Sequence, residues 1–291
     1  MNSWQVGKVK ITQVIESGGA PVSATFLFRG VTPEHVCRHA WLRPHFANEN
    51  GKLFMSIHAF IIESRGRRII VDTCVGNDKP RGNKAWNLMQ GPFLEDLASA
   101  GFPAASIDTV LCTHMHVDHV GWNTRLVDGK WAPTFANARY LFARKEWEHF
   151  GNDHGEDGFG DVIGDSVRPV IDAGLADLVE PDHRITPEVW LEPTPGHTPG
   201  HVSVHIASEG HEAVITGDLM HHPIQCSEPD LPTNFDFDQA AALHTRREFL
   251  ALYADGPVLV LGTHFAPPTG GWFVKAGDTW QFAVGPQSRK D

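Results

Sequence analysis

"THMHVDHVG", residues 113–121, concentrates metal-binding side chains in one short stretch of this chain. Three histidines and one aspartate, His114, His116, Asp118 and His119, fall within six consecutive positions. Imidazole nitrogens and carboxylate oxygens are ligands that borderline-soft divalent metals accept. Surface histidines on a loop would explain one such residue, but four in this spacing favour a metal site. The stretch follows an apolar segment, which predicts that a buried strand delivers the ligands.

Length and composition exclude several classes of protein. The chain has 291 residues, of which 41% are hydrophobic, enough for a substantial core. With 35 acidic and 24 basic residues its formal net charge is −11, which argues against a nucleic-acid partner. We find no apolar run long enough to span a membrane and no secretory signal, so we expect a cytoplasmic protein. The 18 histidines exceed what packing requires.

Hydrophobic periodicity predicts a chain that mixes strands and helices. Strands are expected at 9–17, at 54–73 as a pair joined by the Arg65–Gly66 turn, and at 107–114, 138–143, 189–194, 201–207, 212–218 and 257–264. Helices are expected at 91–101, 144–150, 166–176 and 236–256. Residues 18–52 contain glycines, prolines and scattered aromatic residues, which predicts an irregular segment. We find no repeat or linker, so the prediction is a single domain over 1–291 of packed sheets with outer helices.

Three further metal-binding residues close predicted strands elsewhere in the chain. His197 lies in a Pro/Gly-rich loop after one strand, Asp218 ends "AVITGD", and His264 ends "VLVLGTH". Side chains at strand ends are held by a rigid sheet and can converge on one site. The local cluster alone cannot bind one ion comfortably with all four ligands. Two neighbouring metal ions that share seven donors are therefore the more economical hypothesis.

The order of these residues resembles the metallo-β-lactamase superfamily. Residues 114–119 match its H-x-H-x-D-H signature, and the later histidine, aspartate and histidine follow in the same order over nearly the whole chain. The resemblance implies an α/β fold, the αββα sandwich, in which two mixed sheets pack face to face with helices outside. The "VDT" at 71–73 also matches, which implies that Asp72 orients a ligand histidine through its other ring nitrogen. A plain turn at Asp72 is the alternative.

By this resemblance each of two metal ions has three ligands of its own and shares one carboxylate. One ion would be held by His114, His116 and His197, the other by Asp118, His119 and His264, with Asp218 as the bridge. Zinc suits these donors best, although manganese, cobalt or iron could occupy them. A hydroxide between the ions is the implied nucleophile, since metal coordination lowers the pKa of water to roughly 7.

The resemblance also separates the branches of the superfamily. A bridging aspartate at position 218 disfavours a β-lactamase, and the 291 − 264 = 27 residues after His264 leave no room for the helical extension of a glyoxalase-type thioesterase. The transfer-RNA-processing branch uses a basic projecting arm, and we find no lysine or arginine block that could serve as one. A diiron oxygen-reducing enzyme would need a glutamate within the cluster and an appended flavin domain, and we find neither. The pattern is similar to the lactonase and organophosphate-hydrolase branch.

The implied function is hydrolysis of a small-molecule lactone or ester, as in quorum-quenching lactonases. Phosphotriester or aryl ester hydrolysis is the alternative, and a non-catalytic metal-binding protein is disfavoured because structural zinc sites prefer four saturating ligands. Lactonases of this type carry a tyrosine three residues after the bridging aspartate, where this chain has His221. We expect Asp118, Asp218 and His221 to take part in catalysis, with His221 as a possible acid. The segment 18–52 would suit a homodimer contact.

A second histidine-rich stretch, "HVCRHAWLRPH", covers residues 35–45. It invites a further metal site from His35, Cys37, His39 and His45. The spacing fits no compact zinc pattern, so the sequence favours an amphipathic flap with solvated histidines.

Overall fold

Two seven-stranded mixed sheets form the framework of this protein. The computed structural model describes residues 2–153, 155 and 158–285. In chain order the strands are β1 Ser3–Val6, β2 Val9–Val22, β3 Leu53–Ser64, β4 Arg67–Val71, β5 Thr109–Leu111, β6 Thr124–Val127, β7 Lys130–Pro133, β8 Arg139–Ala143, β9 Ala176–Val179, β10 Arg184–Thr186, β11 Val189–Pro193, β12 Val202–Ser208, β13 His211–Ile215, β14 Leu259–Leu261, β15 Gly270–Ala276 and β16 Thr279–Ala283.

Strand pairing brings the ends of distant segments to common edges. The first sheet has the order β1-β2-β3-β4-β5-β8-β9, the second runs β10 to β16 in sequence, and β6 and β7 form a separate hairpin. Within the first sheet β4, β5, β8 and β9 are parallel, and in the second β13 and β14 are parallel. Because parallel strands end at the same edge, the residues after β4 and β5 lie together, as do those after β13 and β14.

Apolar side chains of both sheets meet in a shared core. Ile11 and Phe60 of the first sheet and Val204 and Ile206 of the second are almost fully buried and belong to one cluster. Sheets that bury their facing sides against each other form a sandwich. Two further clusters pack elsewhere against the first and second sheets. The predicted αββα architecture is confirmed.

Seven α-helices and several short helical turns complete the described chain. The helices are α1 Ala24–Leu27, α2 Pro33–Cys37, α3 Phe93–Ser99, α4 Arg144–Phe150, α5 Arg168–Asp172, α6 Ile224–Ser227 and α7 Gln239–Tyr253. Helix α5 lies inside the predicted 166–176 but is shorter, with Pro169 in its first turn. A π-helical turn at Ile163–Val167 precedes it, and β9 begins at Ala176. In the described part of the chain, no helix is both long and apolar enough to cross a membrane.

The segment 18–52 is less irregular than predicted. Strand β2 extends to Val22, five residues into this segment, and stays paired with β3 through register shifts near Ser17 and between Gly18 and Pro21. Bulged pairing of this kind hides the strict alternation that predicts a strand. Beyond Val22 the chain forms α1, α2 and a short helical turn. Seven of the observed strands were not predicted: β1, β6, β7, β9, β10, β15 and β16.

Candidate metal centre

Asp72 anchors the loop that carries the histidine cluster. It directly follows β4 and adopts a positive φ of 59°, a conformation that Asp tolerates better than most residues. Its carboxylate accepts hydrogen bonds from the backbone N–H of Thr113 at 2.8 Å and from the hydroxyl of Thr113 at 3.0 Å. Thr113 follows β5 and precedes His114. The adjacent parallel strands β4 and β5 thus hold the start of the loop in place.

Three imidazoles of the centre have Nδ1 in contact with a carboxylate or carbonyl oxygen. The partner of His119 is Oδ2 of Asp72 at 3.0 Å, that of His197 is Oδ1 of Asp236 at 3.0 Å, and that of His264 is the carbonyl oxygen of Ser56 at 3.1 Å. An imidazole that donates from Nδ1 to oxygen and is otherwise neutral keeps its Nε2 lone pair free. These contacts therefore direct three Nε2 atoms inward as possible metal ligands.

Asp218 lies at the centre of the group. It follows β13 in a short helical turn and is 3% exposed. Its Oδ1 is 3.1 Å from Nε2 of His264 and 3.4 Å from Nε2 of His119, while its Oδ2 is 3.5 Å from Nε2 of His197 and 3.8 Å from Nε2 of His114. Each carboxylate oxygen thus faces a different pair of histidines. This geometry is the one expected of a bridging ligand.

The backbone of Asp218 is fixed by a histidine that lies behind the group. The N–H of Asp218 donates to Nε2 of His201 at 2.8 Å, and Nδ1 of His201 lies 2.8 Å from the hydroxyl of Thr194. Burial lowers the pKa of His201 to about 3, so this imidazole stays neutral and can accept the bond. His201 is in the same Pro/Gly-rich loop as His197.

Electrostatics within the group favour neutral imidazoles on one side and an anion in the middle. Burial lowers the pKa of His116 to about 4 and holds the pKa values of His114 and His197 well below their ordinary range. For Asp218 burial acts to raise the pKa, but the imidazoles of His119, His264 and His221 outweigh it and hold the carboxyl pKa well below its usual range. Neutral imidazole and carboxylate are the protonation states that bind a metal ion.

The pKa values of the other two central histidines move in the opposite direction. Burial acts to lower the pKa of both His119 and His264, but nearby carboxylates, Asp218 foremost, raise it above the ordinary value. The carboxylates thus favour positive charge at this place in the group. A divalent ion would supply the same positive charge, with both imidazoles neutral.

The donor set fits metal ions on chemical and steric grounds. Ligand atoms within 4.8 Å of one another are offered by the sets His114/His116/His197, His114/His119/Asp218 and Asp118/His119/His264. Among the described residues, the buried atoms His114 Nε2, His119 Nε2 and Asp218 Oδ1 have no hydrogen-bond partner. Buried polar atoms without partners are costly, and bound cations are one way to satisfy them. The group can therefore hold divalent metal.

Glu146 connects the two loops that carry most of these ligands. Its carboxylate accepts hydrogen bonds from the N–H of Met115 at 3.1 Å and from the N–H of Gly200 at 2.7 Å. It is 1% exposed, and burial raises its pKa to about 7. Glu146 lies in the first turn of α4, so this helix ties the loop around 114–119 to the loop around 197–200.

A cavity of about 800 Å³ opens above the donor group. Its floor includes His116, Asp118, Asp218 and His264. The walls are largely apolar and include the aromatic residues Phe26, Trp86, Phe150, Phe159, Phe235 and Phe237. A cavity of this size with polar groups converging at one end is typical of a small-molecule site.

His221 lies at the boundary between the donors and the cavity. Its Nε2 is 3.2 Å from Oδ2 of Asp218, its ring stacks on that of His264 at 5.8 Å, and it lines the cavity. An imidazole in this position can exchange a proton with a molecule in the cavity.

The structure brings together all seven residues that the sequence singled out as metal ligands. Asp72 lies directly beside His119, as the predicted orienting role requires. The set His35/Cys37/His39/His45 does not assemble, since Cys37 contacts the carbonyl of Glu49 and His45 is exposed. Sequence reasoning missed Asp236, Glu146 and His201. Asp236 is the first residue of the predicted helix 236–256, where an acidic residue often caps a helix, and no sequence signal marked Glu146.

Known proteins of similar sequence include bacterial lactonases. The chain is 26% identical over 169 residues to an N-acyl homoserine lactonase of Bacillus sp., covering 54% of this chain and 60% of that protein. It is 25% identical over 178 residues to an N-acyl homoserine lactonase of Bacillus thuringiensis, covering 57% of this chain and 64% of that protein. The aligned region is thus less than two thirds of the length of these relatives.

Solved structures and a family profile agree on the fold. The hydrolase AbOPH of the beta lactamase superfamily superposes with a TM-score of 0.79 at 22% identity, covering 98% of this chain and 97% of that one. AidC, a dizinc quorum-quenching lactonase, superposes with a TM-score of 0.77 at 18% identity, with the same coverage. The profile of the metallo-beta-lactamase superfamily matches residues 54–264, which is more than half of the chain. This chain belongs to the metallo-beta-lactamase superfamily.

Proposed function

We propose that this protein is a metal-dependent hydrolase of lactones or esters whose acyl group is apolar. The observation that carries the proposal is a cluster of seven side chains that could bind metal at one end of an aromatic-lined cavity of about 800 Å³. Five of them line the cavity: His116, Asp118, His197, Asp218 and His264. Similarity to N-acyl homoserine lactonases of Bacillus supports a lactone as the substrate. Such a molecule combines a polar ring with a flexible apolar chain, and the cavity offers matching surfaces for both.

The proposed centre holds two divalent ions, for which we propose zinc. His114, His116 and His197 would bind one ion, Asp118, His119 and His264 the other, and Asp218 both. When bound, two such ions supply a Lewis acid for the substrate carbonyl and lower the pKa of water near it. Each ion would have three ligands of its own and no cysteine, as catalytic zinc sites do, whereas structural zinc sites favour four saturating ligands that often include cysteine.

The side chains around the donors have distinct tasks in this proposal. Asp72, Asp236 and the carbonyl of Ser56 orient the imidazoles of His119, His197 and His264 through their Nδ1 atoms. Fixed ligands cost no reorganisation when the reaction occurs. Apolar walls exclude bulk water and hold the acyl chain.

His221 is proposed as the group that gives a proton to the departing oxygen. When the ring or ester C–O bond breaks, the electron pair stays on that oxygen, which needs a proton to leave as an alcohol. His221 lines the cavity, and its Nε2 lies 3.2 Å from Asp218 Oδ2, close to the place of reaction. The imidazole is regained in its acid form from solvent water.

A substrate panel tests this function. Zinc-loaded protein is assayed with N-acyl homoserine lactones of short and long chain, aryl esters, phosphotriesters and β-lactams, and kcat/KM is compared. We expect the lactones or esters to give the highest values and an Asp218→Ala variant of unchanged circular dichroism to be inactive. A preference for phosphotriesters or β-lactams, or inactivity toward the whole panel with metal bound, would refute the proposal.

A further inference from the structure

A second group of metal-binding side chains lies outside the cavity. His35 and His39 both direct Nε2 at the same atom, Oε1 of Glu228, at 2.6 and 2.5 Å. Their rings are nearly parallel, with centroids 6.1 Å apart. The three donor atoms lie within 4.8 Å of one another. None of the three residues lines the cavity above the candidate metal centre.

Local structure holds the two histidines on one face. Thr32 caps α2 by accepting the N–H of His35 at 3.3 Å, and Pro33 occupies the first turn. His39 lies two residues beyond α2, and its N–H donates to the carbonyl of Val36 at 3.0 Å, which turns the chain so that its ring lies beside that of His35. Between them Val36 faces inward and is 1% exposed. The pair is thus presented outward on a backbone fixed by the core.

Glu228 reaches this pair from a segment 193 residues further along the chain. It ends α6, and its N–H donates to the carbonyl of Ile224 at 3.0 Å. Ile224 and Cys226 of α6 pack in the same core cluster as Val36. Both segments are therefore anchored beneath the surface, and their meeting at His35, His39 and Glu228 does not depend on a flexible arm.

We propose that His35, His39 and Glu228 form a third divalent-metal site, separate from the candidate dinuclear centre, that links α2 to α6. Two imidazole nitrogens and one carboxylate are a donor set used for zinc, with the remaining position left to water. Metal–ligand bonds of about 2.0–2.1 Å place tetrahedral donors roughly 3.3 Å apart, so the present contacts need to open by less than about 1 Å.

The exposure of the three side chains suits such a site. They are 24%, 18% and 28% exposed, which leaves an entry path while removing most of the competing water. Cys37 and His45 are not part of the proposed site, because Cys37 Sγ contacts the carbonyl of Glu49 at 3.6 Å and His45 is exposed. The site is open on one side, as a metal-bound water requires.

The proposed ion would fix the position of α6, which follows the cavity residue His221. This helix begins three residues after His221, and His222 Nε2 contacts the carbonyl oxygen of Phe46 at 2.8 Å. An ion that fixes α6 against α2 stabilises the folded protein, because it binds the native arrangement and not the unfolded chain. We expect zinc to raise the melting temperature through this site independently of catalysis.

Zinc stoichiometry and thermal stability test the proposal. Full-length protein is dialysed against micromolar zinc, and bound zinc is measured by mass spectrometry for the wild type, His35→Gln/His39→Gln and Glu228→Gln. We expect each variant to bind about one zinc ion per chain fewer than the wild type. The matched control is His45→Gln, which alters an exposed histidine of the same segment and should keep the wild-type ratio.

A His116→Ala/His264→Ala variant separates this proposal from the proposed function. We expect it to lose the ions of the candidate dinuclear centre yet to retain the zinc that depends on His35 and His39. In this background, zinc should still raise the melting temperature, and adding His35→Gln/His39→Gln should abolish that rise. Equal zinc binding and an equal thermal shift with and without His35 and His39 would overturn the third site, whatever the catalytic donors bind.

Discussion

Oδ1 of Asp236 lies 3.0 Å from Nδ1 of His197, 39 residues earlier in the chain. His119 makes the corresponding contact with Asp72 on the other side of the donor group, also at 3.0 Å. Each carboxylate selects the tautomer that leaves Nε2 of its histidine free and raises the basicity of that nitrogen. His119 and His197, which follow strands of different sheets, are therefore oriented in the same way, by a carboxylate at Nδ1.

Replacing Asp236 with Asn should weaken metal binding by about 10–100-fold, because an amide orients the His197 ring without the negative charge. The measurement is zinc affinity by competition with a chromophoric chelator. Asp238→Asn is the matched control, since this residue caps α7 by accepting the N–H of Ala241 at 3.0 Å, and Asn caps equally well. Wild-type affinity in Asp236→Asn would contradict the orienting role.

Asp72→Asn should be more stable than Asp72→Ala because of the backbone conformation at this position. The φ of Asp72 is +59°, which Asn adopts readily and Ala does not. We expect Asp72→Ala to be about 1 kcal/mol less stable than Asp72→Asn on this ground alone, and more if the bond from the N–H of Thr113 is retained only by Asn. Urea unfolding of the metal-free variants measures the difference. Equal stabilities would show that the backbone relaxes there at no cost.

Glu146 should give the stability of the protein a pH dependence. Burial raises the pKa of this carboxyl from 4.5 to about 7, so the folded state holds a proton that the unfolded state has released. This contribution to stability is present below the unfolded pKa and is lost as pH rises through the folded pKa. Over that window the wild type should lose up to about 3 kcal/mol relative to Glu146→Gln, which does not titrate.

Urea unfolding of both proteins in chelator at pH 5 and pH 8 measures this change. Metal is removed so that its own pH-dependent binding does not enter the comparison. A free-energy difference between wild type and Glu146→Gln that is the same at both pH values would show that the buried carboxyl does not titrate abnormally.

Replacing His221 with Phe should lower kcat by about 10²-fold or more if this imidazole supplies the proton, because general acids contribute on this scale. Zinc content should stay at the wild-type value, since the proposed ligands are unchanged. Turnover is measured with the best lactone of the panel, and zinc by mass spectrometry. Unchanged turnover would remove the acid role, and loss of zinc would make His221 a ligand instead.

Several elements were predictable because their physical signal is local. The Arg65–Gly66 turn has positive φ at both residues and joins β3 to β4, as the predicted strand pair over 54–73 requires. Helix α7 lies inside the predicted 236–256 and is capped by Asp238. By contrast, β15 and β16 were not predicted. The end of β2 was not predicted as a strand, because its bulges break the alternation of apolar residues.

The sequence alone determined which side chains are candidate metal ligands. Histidine and aspartate residues at fixed spacing follow apolar strands, and this pattern shows both the ligand types and the strand ends that carry them. Only the tertiary structure decided which other side chains contact these histidines and the loops that carry them. Asp236, Glu146 and Glu228 contact histidines or ligand loops that are 31 to 193 residues away. No spacing rule reaches such distances, because these contacts depend on how two sheets and their helices pack.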